Sequence, residues 1–312
     1  MLRIGVIGAG KLGETHIKQL MDIGFFELVG FYDSNTEYAG QVSRSTGVPY
    51  FEDAETLMDL VDIVDIVKPT ISHFDYAVKA IKKSKHVFIE KPVTETVEEA
   101  KQLLELAEEA NVKVQVGHVE RYNPAFKAAL PYIANPMFIE THRMIEFDAN
   151  KVDIPVVMDL MGHDLDIVLH LVNSNIKKIS ASGVEVIGNS PDIVNAVVEF
   201  DNGCVANLTA SRVSLTNERI TKVYQKDAHV VIDYYRQKTS LYRLKTNGKT
   251  EIFTEELAID KENPLKKELE EFAQAILTDC SPKVGILDGA IMLEAAFRIA
   301  EKVKKTTSLI ED

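Results

Sequence analysis

An aspartate and a histidine four residues apart, Asp159 and His163, carry the side chains of this sequence best suited to proton transfer. Asp166 and His170 continue the pattern, and on a helix these four side chains share one face. Apolar residues form a separate stripe of the same segment: Met158, Met161, Leu165, Val168 and Val172. The pattern predicts a helix over about 157–173 that buries the apolar stripe and presents acid and imidazole groups along another.

Two other interpretations of this polar face stay open. Carboxylate and imidazole groups at i and i+4 can bind a divalent metal ion, and the ligands would be Asp159, His163 and His170. The sequence contains no HExxH motif and no further ligand cluster, so we predict no metal site. The remaining alternative is a solvated helix face whose histidines have no role.

Lys91 stands between Glu90 and Pro92, directly after a strand-like run. In a parallel sheet this position is the carboxyl end of a strand, where open α/β sheets bind their ligands. An ammonium group there can stabilise a developing alkoxide and help to pass on its proton. The alternative is an ordinary surface lysine in a loop between strand and helix.

Glycines at positions 8, 10 and 13 fit the pattern G-x-G-x-x-G between a strand-like run and a helical one. Gly8 permits a tight turn, Gly10 lets a diphosphate approach the backbone, and Gly13 allows the helix to pack closely on the strand. Lys11 and Leu12 lie in the first helical turn, whose free N–H groups would bind the diphosphate. The turn therefore predicts a dinucleotide-binding site.

A competing motif overlaps this turn. Gly5 to Lys11 match G-x-x-x-x-G-K, the beginning of a P-loop that binds nucleoside triphosphates. The next residue is Leu12, where the P-loop needs a Ser or Thr hydroxyl for Mg²⁺. The triphosphate interpretation fails at that position.

Asp33 ends the second strand-like run, 20 residues after Gly13. A carboxylate at this place binds the ribose hydroxyls of the adenosine half and repels a 2′-phosphate. Ser34, Asn35 and Thr36 follow, with no arginine to receive such a phosphate. The sequence therefore favours NAD over NADP as cofactor.

The elements that position these residues fall into two groups. Strand-like runs alternate with helical patterns over residues 1–118: Leu2–Ile7, Leu28–Tyr32, Ile63–Val67, His86–Ile89 and Val112–Val116. This alternation is typical of βαβ units on a parallel sheet. Longer strands follow at 136–147, 176–188, 192–200, 203–213, 219–225, 228–235 and 238–245, and helices at 264–279 and 287–305 close the chain.

We therefore predict an α/β fold with an N-terminal Rossmann dinucleotide-binding domain over residues 1–120. Residues 121–312 are expected to form an α+β domain for substrate binding and oligomerisation, built on an open, mostly antiparallel sheet. The C-terminal helices either belong to that second domain or pack back on the first.

Charge and cysteine content exclude several classes of protein. Acidic residues number 48 against 35 basic ones, a net charge of −13, which disfavours nucleic acid and anionic lipid as partners. Cys204 and Cys280 lie far apart without a CxxC motif, as is typical of a reducing compartment. The sequence lacks a leader-like segment and an apolar run of membrane-spanning length, so the cytoplasm is the expected location.

Three segments together resemble the glucose–fructose oxidoreductase / inositol dehydrogenase (Gfo/Idh/MocA) family: Val67–His73, His86–Pro92 with its Glu-Lys-Pro, and the D-x-x-x-H that starts at Asp159. The resemblance covers essentially the whole chain, including Pro282–Gly289 before the last helix. It implies a Rossmann domain, an open-faced sheet domain, and an NAD-dependent dehydrogenase that transfers hydride between the nicotinamide and a sugar or polyol carbon.

The resemblance also implies roles for residues of the first domain. Pro69, Thr70 and His73 would line the nicotinamide half of the cofactor, and Glu90 and Lys91 would lie beside the nicotinamide. Lys68 departs from the small or apolar residue that is common at its position, which leaves its role open.

In the second domain, the family residues matching Asp159 and His163 act on the substrate hydroxyl. His163 would be the general base, because an imidazole titrates near the working pH. Asp159 would orient it, hold its tautomer or bind the substrate. The resemblance carries no catalytic role to Asp166 or His170.

The loop G-H-V-E-R-Y-N-P-A-F over residues 117–126 follows the last strand of the first domain. His118, Arg121 and Asn123 are candidates for contact with cofactor or substrate, the last two with substrate. The loop sequence is similar to that of family members that oxidise nucleotide-linked amino sugars. Arg121 could meet a diphosphate or the nicotinamide carboxamide, or pair with Glu120 or Glu140.

The sequence leaves two classes of function open. The first is a sugar dehydrogenase, and the second is an NAD(H)-binding sensor or assembly protein whose sheet serves a partner. In either case we expect a homodimer or homotetramer through the open face of the second sheet.

Overall fold

The computed structural model describes residues 1–148, 155–187, 190–246 and 250–307. The chain divides into two compact units. The first contains Met1–Val119 and Asn263–Ile291, and the second contains Glu120–Glu262 and Met292–Asp312. Residues of the C-terminal helices are thus present in each unit.

Six strands within residues 1–117 form the sheet of the first unit, and every pair of neighbours is parallel. They are β1 (Leu2–Ile7), β2 (Phe26–Tyr32), β3 (Tyr50–Phe51), β4 (Ile63–Ile66), β5 (His86–Glu90) and β6 (Val114–Gly117). The strand order is β3-β2-β1-β4-β5-β6, so the direction in which strands are added reverses between β1 and β4. Open α/β sheets bind their ligands beyond the carboxyl ends of the strands at such a reversal.

Helices connect these strands: α1 (Lys11–Met21), α2 (Thr36–Thr46), α3 (Ala54–Asp59), α4 (His73–Lys82) and α5 (Val97–Glu109). The strands are apolar on both faces because helices cover both, and Ile4, Val6 and Phe88 are 0% exposed. Helix α5 begins at a capping box, in which the Thr96 hydroxyl accepts the Glu99 N–H and the Glu99 carboxylate accepts the Thr96 N–H.

The sheet of the second unit has eight strands among the described residues, in the order β14-β13-β12-β11-β7-β10-β9-β8. They are β7 (Phe138–Glu146), β8 (Ile176–Val184), β9 (Ile193–Phe200), β10 (Val205–Ser214), β11 (Glu218–Gln225), β12 (Ala228–Asp233), β13 (Lys238–Thr246) and β14 (Thr250–Glu256). Neighbours are antiparallel except β7 and β10, which are parallel. Alternate residues of β9 are buried, so one face of the sheet packs on a core and the other is open.

Helix α6 (Pro124–Ala129) precedes β7, and α7 (Gly162–Val172) lies between β7 and β8 in sequence. Helices α8 (Pro264–Leu277) and α9 (Ile286–Thr307) close the chain. The apolar stripe predicted for 157–173 is confirmed, because Met161, Leu165 and Val168 are fully buried in the core of the second unit. From α8, Leu269 and Phe272 join the core of the first unit. None of the described helices is long and apolar enough to cross a membrane.

The predicted elements are confirmed with small shifts at their ends, and two strands were missed. Strand β3 has two residues, too few for any periodicity. Strand β14 has two adjacent apolar residues, Ile252 and Phe253, among threonines and glutamates, and Ile252 is 71% exposed, so its sequence lacks the alternation typical of a strand. The strand predicted over 176–188 ends at Val184, and its last predicted residue, Gly188, lies outside the described residues.

Candidate functional site

The glycine turn joins β1 to α1 at the centre of the parallel sheet. Gly8 has φ +112°, and a Cβ there would collide with the carbonyl group of Val67. A Cβ at Gly13 would collide with the carbonyl oxygen of Gly8, so chain packing itself requires both glycines. A Cβ at Gly10 would meet no described atom within 4 Å, so close approach of a ligand explains this glycine better than packing does.

Helix α1 starts at Lys11, directly after this turn. Within the described part of the chain, no side chain caps its N-terminus. The N–H groups of the first turn are therefore available to an anion, and the helix dipole favours negative charge there. Lys11 and Leu12 are exposed on this turn, as a contact with a diphosphate requires.

Asp33 lies directly after β2 and is fixed by two backbone N–H groups. Its Oδ2 accepts the N–H of Ala9 at 2.7 Å, and its Oδ1 accepts the N–H of Asn35 at 2.9 Å. The first of these bonds ties the carboxylate to the glycine turn. Lys68 lies on the other side, with its Nζ 3.1 Å from the Ser34 hydroxyl and 3.7 Å from Asp33 Oδ1.

The loop after β4 leads into a short 3₁₀ turn over Thr70–Ser72 and then into α4. Pro69 is exposed on this loop and Thr70 is half-buried, so both can contact a ligand. His73 is buried, and its two ring nitrogens lie 2.7 Å from the carbonyl oxygen of Lys68 and 2.8 Å from that of Pro92. Burial lowers the pKa of His73. The ring connects the loop at Lys68 with the loop at Pro92. His73 would therefore affect cofactor binding indirectly, by holding these two loops in place.

Glu90 ends β5 and belongs to a buried charged cluster that no sequence motif indicates. His16 of α1 lies between two carboxylates, with Nδ1 2.9 Å from Asp65 Oδ2 and Nε2 3.1 Å from Glu90 Oε1. His16 and Asp65 are 0% exposed. The backbone N–H of Lys91 donates to Glu90 Oε2 at 3.2 Å, so the cluster fixes the main chain at Lys91.

The charges of this cluster favour a protonated His16 and an ionised Glu90. Burial opposes a charged imidazole, but the charge of Asp65 and the hydrogen bonds to Asp65 and Glu90 outweigh it and raise the pKa of His16 to about 10. Burial raises the pKa of Asp65, and His16 opposes that shift. Burial would also raise the pKa of Glu90, but the hydrogen bond and charge of His16, helped by the charge of Lys91, leave this pKa lowered. Glu90 is therefore a carboxylate beside Lys91.

Asp159 and His163 lie on consecutive helical segments of the second unit, and both are half-buried. The segment does not start as the α-helix that was predicted, because Val157–Met161 form a π-helical turn before α7. π-Helical turns inside helices occur frequently at functional sites. Asp159 lies in this wide turn and His163 in the first turn of α7, so the i,i+4 geometry of a regular helix does not apply to the pair.

Arg121 pairs with Asp166, a partner that the sequence did not indicate. The guanidinium donates to both carboxylate oxygens of Asp166 at 2.7 and 2.8 Å, and its third nitrogen lies 3.0 Å from His170 Nδ1. A bidentate pair of this kind fixes the orientation of the guanidinium plane. Asp166 and His170 thus position Arg121.

A second buried cluster surrounds Arg143 of β7, which is 2% exposed. Its guanidinium donates to Glu120 at 3.1 Å and to both oxygens of Asp164 at 2.9 and 3.1 Å. Burial alone would lower the pKa of Arg143, but the two carboxylates raise it. The cluster ties the loop before α6 to β7 and α7, and neither Arg143 nor Asp164 was identified from the sequence.

Asn123 is buried, and its side chain is engaged within the second unit. The amide donates to Glu120 Oε2 at 3.1 Å and to the carbonyl of Tyr234 at 3.2 Å, and its oxygen accepts the N–H of Ala125. These contacts make Asn123 the N-cap of α6 and a brace of the loop. His118 is buried directly after β6 in the first unit.

Comparison with known proteins identifies the family. The description "Oxidoreductase family, NAD-binding Rossmann fold" matches residues 2–118, and "GFO/IDH/MocA C-terminal domain" matches residues 138–231. UDP-N-acetylglucosamine 3-dehydrogenase from Acidithiobacillus ferrooxidans is 32% identical over 307 residues, covering 97% of this chain and 97% of that protein. The chain belongs to the Gfo/Idh/MocA family.

Other proteins are also similar over most of the chain. The solved structure of the A. ferrooxidans enzyme has a TM-score of 0.93 at 32% identity and covers 98% of each chain. The scyllo-inositol 2-dehydrogenase (NAD(+)) of Bacillus subtilis is 29% identical over 315 residues, covering 94% of this chain and 91% of that protein. Levoglucosan dehydrogenase, solved with NADH and levoglucosan, shares the fold with a TM-score of 0.86 at 20% identity over 98% of each chain.

Membership in the Gfo/Idh/MocA family confirms the predicted fold class, NAD as cofactor, and an NAD-dependent oxidoreductase. The residues of the first unit fit NAD, because the glycine turn is open at Gly10 and Asp33 is held beside it. Over the part of the chain that the structure describes, no group of three or more His, Cys, Asp or Glu residues could hold a metal ion.

Proposed function

We propose that this protein is an NAD-dependent dehydrogenase acting on a ring hydroxyl of a nucleotide-linked amino sugar. The observation that carries the proposal is the end-to-end similarity to UDP-N-acetylglucosamine 3-dehydrogenase, at 32% identity. The loop over 117–126, whose sequence is similar to that of family members for such substrates, accords with it.

The first unit supplies the cofactor half of this proposal. Bound NAD would supply the acceptor for the hydride of the oxidised carbon. The N–H groups after Gly10 would hold its diphosphate, and Asp33 would accept hydrogen bonds from its ribose hydroxyls. Thr70 would contact the nicotinamide half, and Glu90 would fix the strand end that carries Lys91.

The proton chemistry is assigned to Lys91, Asp159 and His163. His163 would take the proton of the substrate hydroxyl, Asp159 would orient the imidazole or bind the substrate, and the Lys91 ammonium would stabilise the alkoxide. Lys91 belongs to the first unit, and Asp159 and His163 belong to the second. The assignment therefore rests on the motifs that the chain shares with the family.

Arg121 is the candidate for binding the substrate. Because Asp166 and His170 hold its guanidinium, the orientation of this cation is set before a ligand arrives. For Asn123 we propose an indirect role, since its amide braces the loop that carries Arg121.

A substrate panel tests the function. We expect the purified protein to reduce NAD⁺ with UDP-N-acetylglucosamine, and kcat/KM for free N-acetylglucosamine to be lower by at least about tenfold, since contacts to the nucleotide contribute binding energy at the reacting carbon. UDP-glucose serves as the control for the acetamido group. Faster turnover of myo- or scyllo-inositol would move the assignment to the inositol dehydrogenases. NADH binding without turnover of any substrate would favour a sensor or assembly protein.

We further propose a homodimer or homotetramer in the cytoplasm, formed through the open face of the second sheet. An aromatic row crosses this face on neighbouring strands: Phe138, Tyr224, His229 and Tyr242, with ring centroids 5.8, 4.1 and 5.2 Å apart. Such a patch is typical of a protein–protein interface. Light scattering on the purified protein measures the mass, and a monomer would contradict the proposal.

A further inference from the structure

Lys68 lies at the adenosine end of the dinucleotide site. Its Nζ is 3.1 Å from the Ser34 hydroxyl and 3.7 Å from Asp33 Oδ1, and it lies 5.9 Å from the centre of the Tyr32 ring. The side chain is 11% exposed. A Cβ at Gly8 would touch Lys68 Cδ at 3.0 Å, so the stem of the lysine runs along the glycine turn.

The ammonium group is not needed to hold Asp33 in place. Each carboxylate oxygen of Asp33 already accepts a backbone N–H, from Ala9 and from Asn35. The hydrogen-bond partner of Lys68 is instead the neutral hydroxyl of Ser34. A cation that costs desolvation and contributes little to local geometry is better explained by a ligand than by packing.

The charge of Lys68 weakens the repulsion by which Asp33 would exclude NADP. A lone carboxylate at the end of β2 repels the 2′-phosphate of NADP. Here a positive charge lies beside that carboxylate in a site where solvent screens it little, so it offsets part of the repulsion. The Ser34 hydroxyl adds a hydrogen-bond donor of the kind that a phosphate oxygen accepts.

We propose that Lys68 and Ser34 form a subsite for the 2′-phosphate of NADP, so that this protein binds NADP(H) as a second cofactor in addition to NAD(H). Asp33 keeps its negative charge, so NAD(H) remains the preferred cofactor. The inference rests on the dinucleotide site of the first unit and not on the identity of the substrate.

Calorimetric titration with NADH and NADPH tests the subsite without any substrate. We expect the wild-type protein to bind NADPH within about 100-fold of NADH. Lys68→Met, which keeps a long apolar stem, is expected to weaken NADPH by at least about tenfold and NADH by less than about threefold. Lys18→Met is the matched control, because Lys18 is an exposed lysine in the last turn of α1, and it should change neither affinity.

Two outcomes would overturn the subsite. One is equal weakening of NADH and NADPH by Lys68→Met, which would assign Lys68 to a part that both cofactors share. The other is a wild-type protein that does not bind NADPH at millimolar concentration. Unchanged NADH affinity also reports that the variant is folded.

Asp33→Asn provides a second measurement if Lys68→Met does not fold. With the carboxylate neutralised and Lys68 retained, NADPH is expected to bind more tightly than NADH, because the ammonium attracts the additional phosphate. A protein in which Lys68 plays no part would at most equalise the two affinities, and that result would contradict the proposal.

Discussion

Replacing Lys91 with methionine is expected to lower kcat by about 10²- to 10³-fold with the preferred substrate, the cost of removing one group that stabilises developing negative charge. Lys91 directly follows β5, and its backbone N–H is held by Glu90. Methionine keeps most of the length of the side chain but has no charge, so it fills most of the space without stabilising an alkoxide. Stopped-flow or steady-state NAD⁺ reduction measures the loss.

The matched control is Lys85→Met, which removes a lysine just before the amino end of the same strand. We expect this variant to retain wild-type kcat, because ligands bind at the carboxyl ends of parallel strands. Titration with NADH should show that Lys91→Met changes cofactor affinity by less than about tenfold, since one contact among many is lost. Wild-type turnover in Lys91→Met would remove the residue from the mechanism.

The buried cluster behind Lys91 explains why this strand end can serve as a fixed site. His16 is held between two carboxylates at 2.9 and 3.1 Å, and one of them, Glu90, receives the Lys91 N–H. Reactive groups need support of this kind, because a displacement of about 1 Å can lower the reaction rate strongly. The cluster thus connects the helix after the glycine turn with the strand end of the proposed catalytic lysine.

Residues whose roles depend on their spacing within one short segment could be predicted from the sequence. Gly8, Gly13 and Asp33 have the positions that the dinucleotide motif requires, because that motif is a contiguous strand, turn and helix. The strands of the first unit follow from apolar runs, since burial on both faces leaves a clear signal. Local chemistry and local structure coincide in these segments.

Contacts between distant residues could not be predicted in this way. His16 and Asp65 are 49 residues apart, and Arg121 and Asp166 are 45 apart, so spacing alone does not pair them. The π-helical turn at Asp159 was missed for a similar reason, since it depends on packing and the sequence there is also compatible with a regular helix.

Lys68 is a neighbour of Asp33 that local sequence does not reveal. The preference for NAD over NADP was argued from Asp33 and the three residues that follow it, none of which is an arginine. The cation beside Asp33 comes instead from the loop after β4, 35 residues further along the chain. Folding brings it there because β2 and β4 are both parallel to β1 and flank it, so their carboxyl ends lie at the same edge of the sheet.

His163→Gln is expected to reduce kcat by about 10²- to 10⁴-fold, the range that a positioned general base contributes. Glutamine is polar and of comparable length but does not accept a proton near neutral pH. The base must be deprotonated to act, so wild-type kcat should rise with pH as the imidazole loses its proton, and this limb should disappear in the variant. A pH profile of kcat under saturating substrate measures both effects.

The matched control is His170→Gln on the same helix. His170 contacts Arg121, which keeps two hydrogen bonds to Asp166, so we expect kcat to change by less than about threefold and the pH-dependent limb to remain. A polar face without a specific base would respond alike to both substitutions, because each removes one imidazole from one helix. Only a base at His163 predicts that one histidine of this helix carries the pH dependence and the other does not.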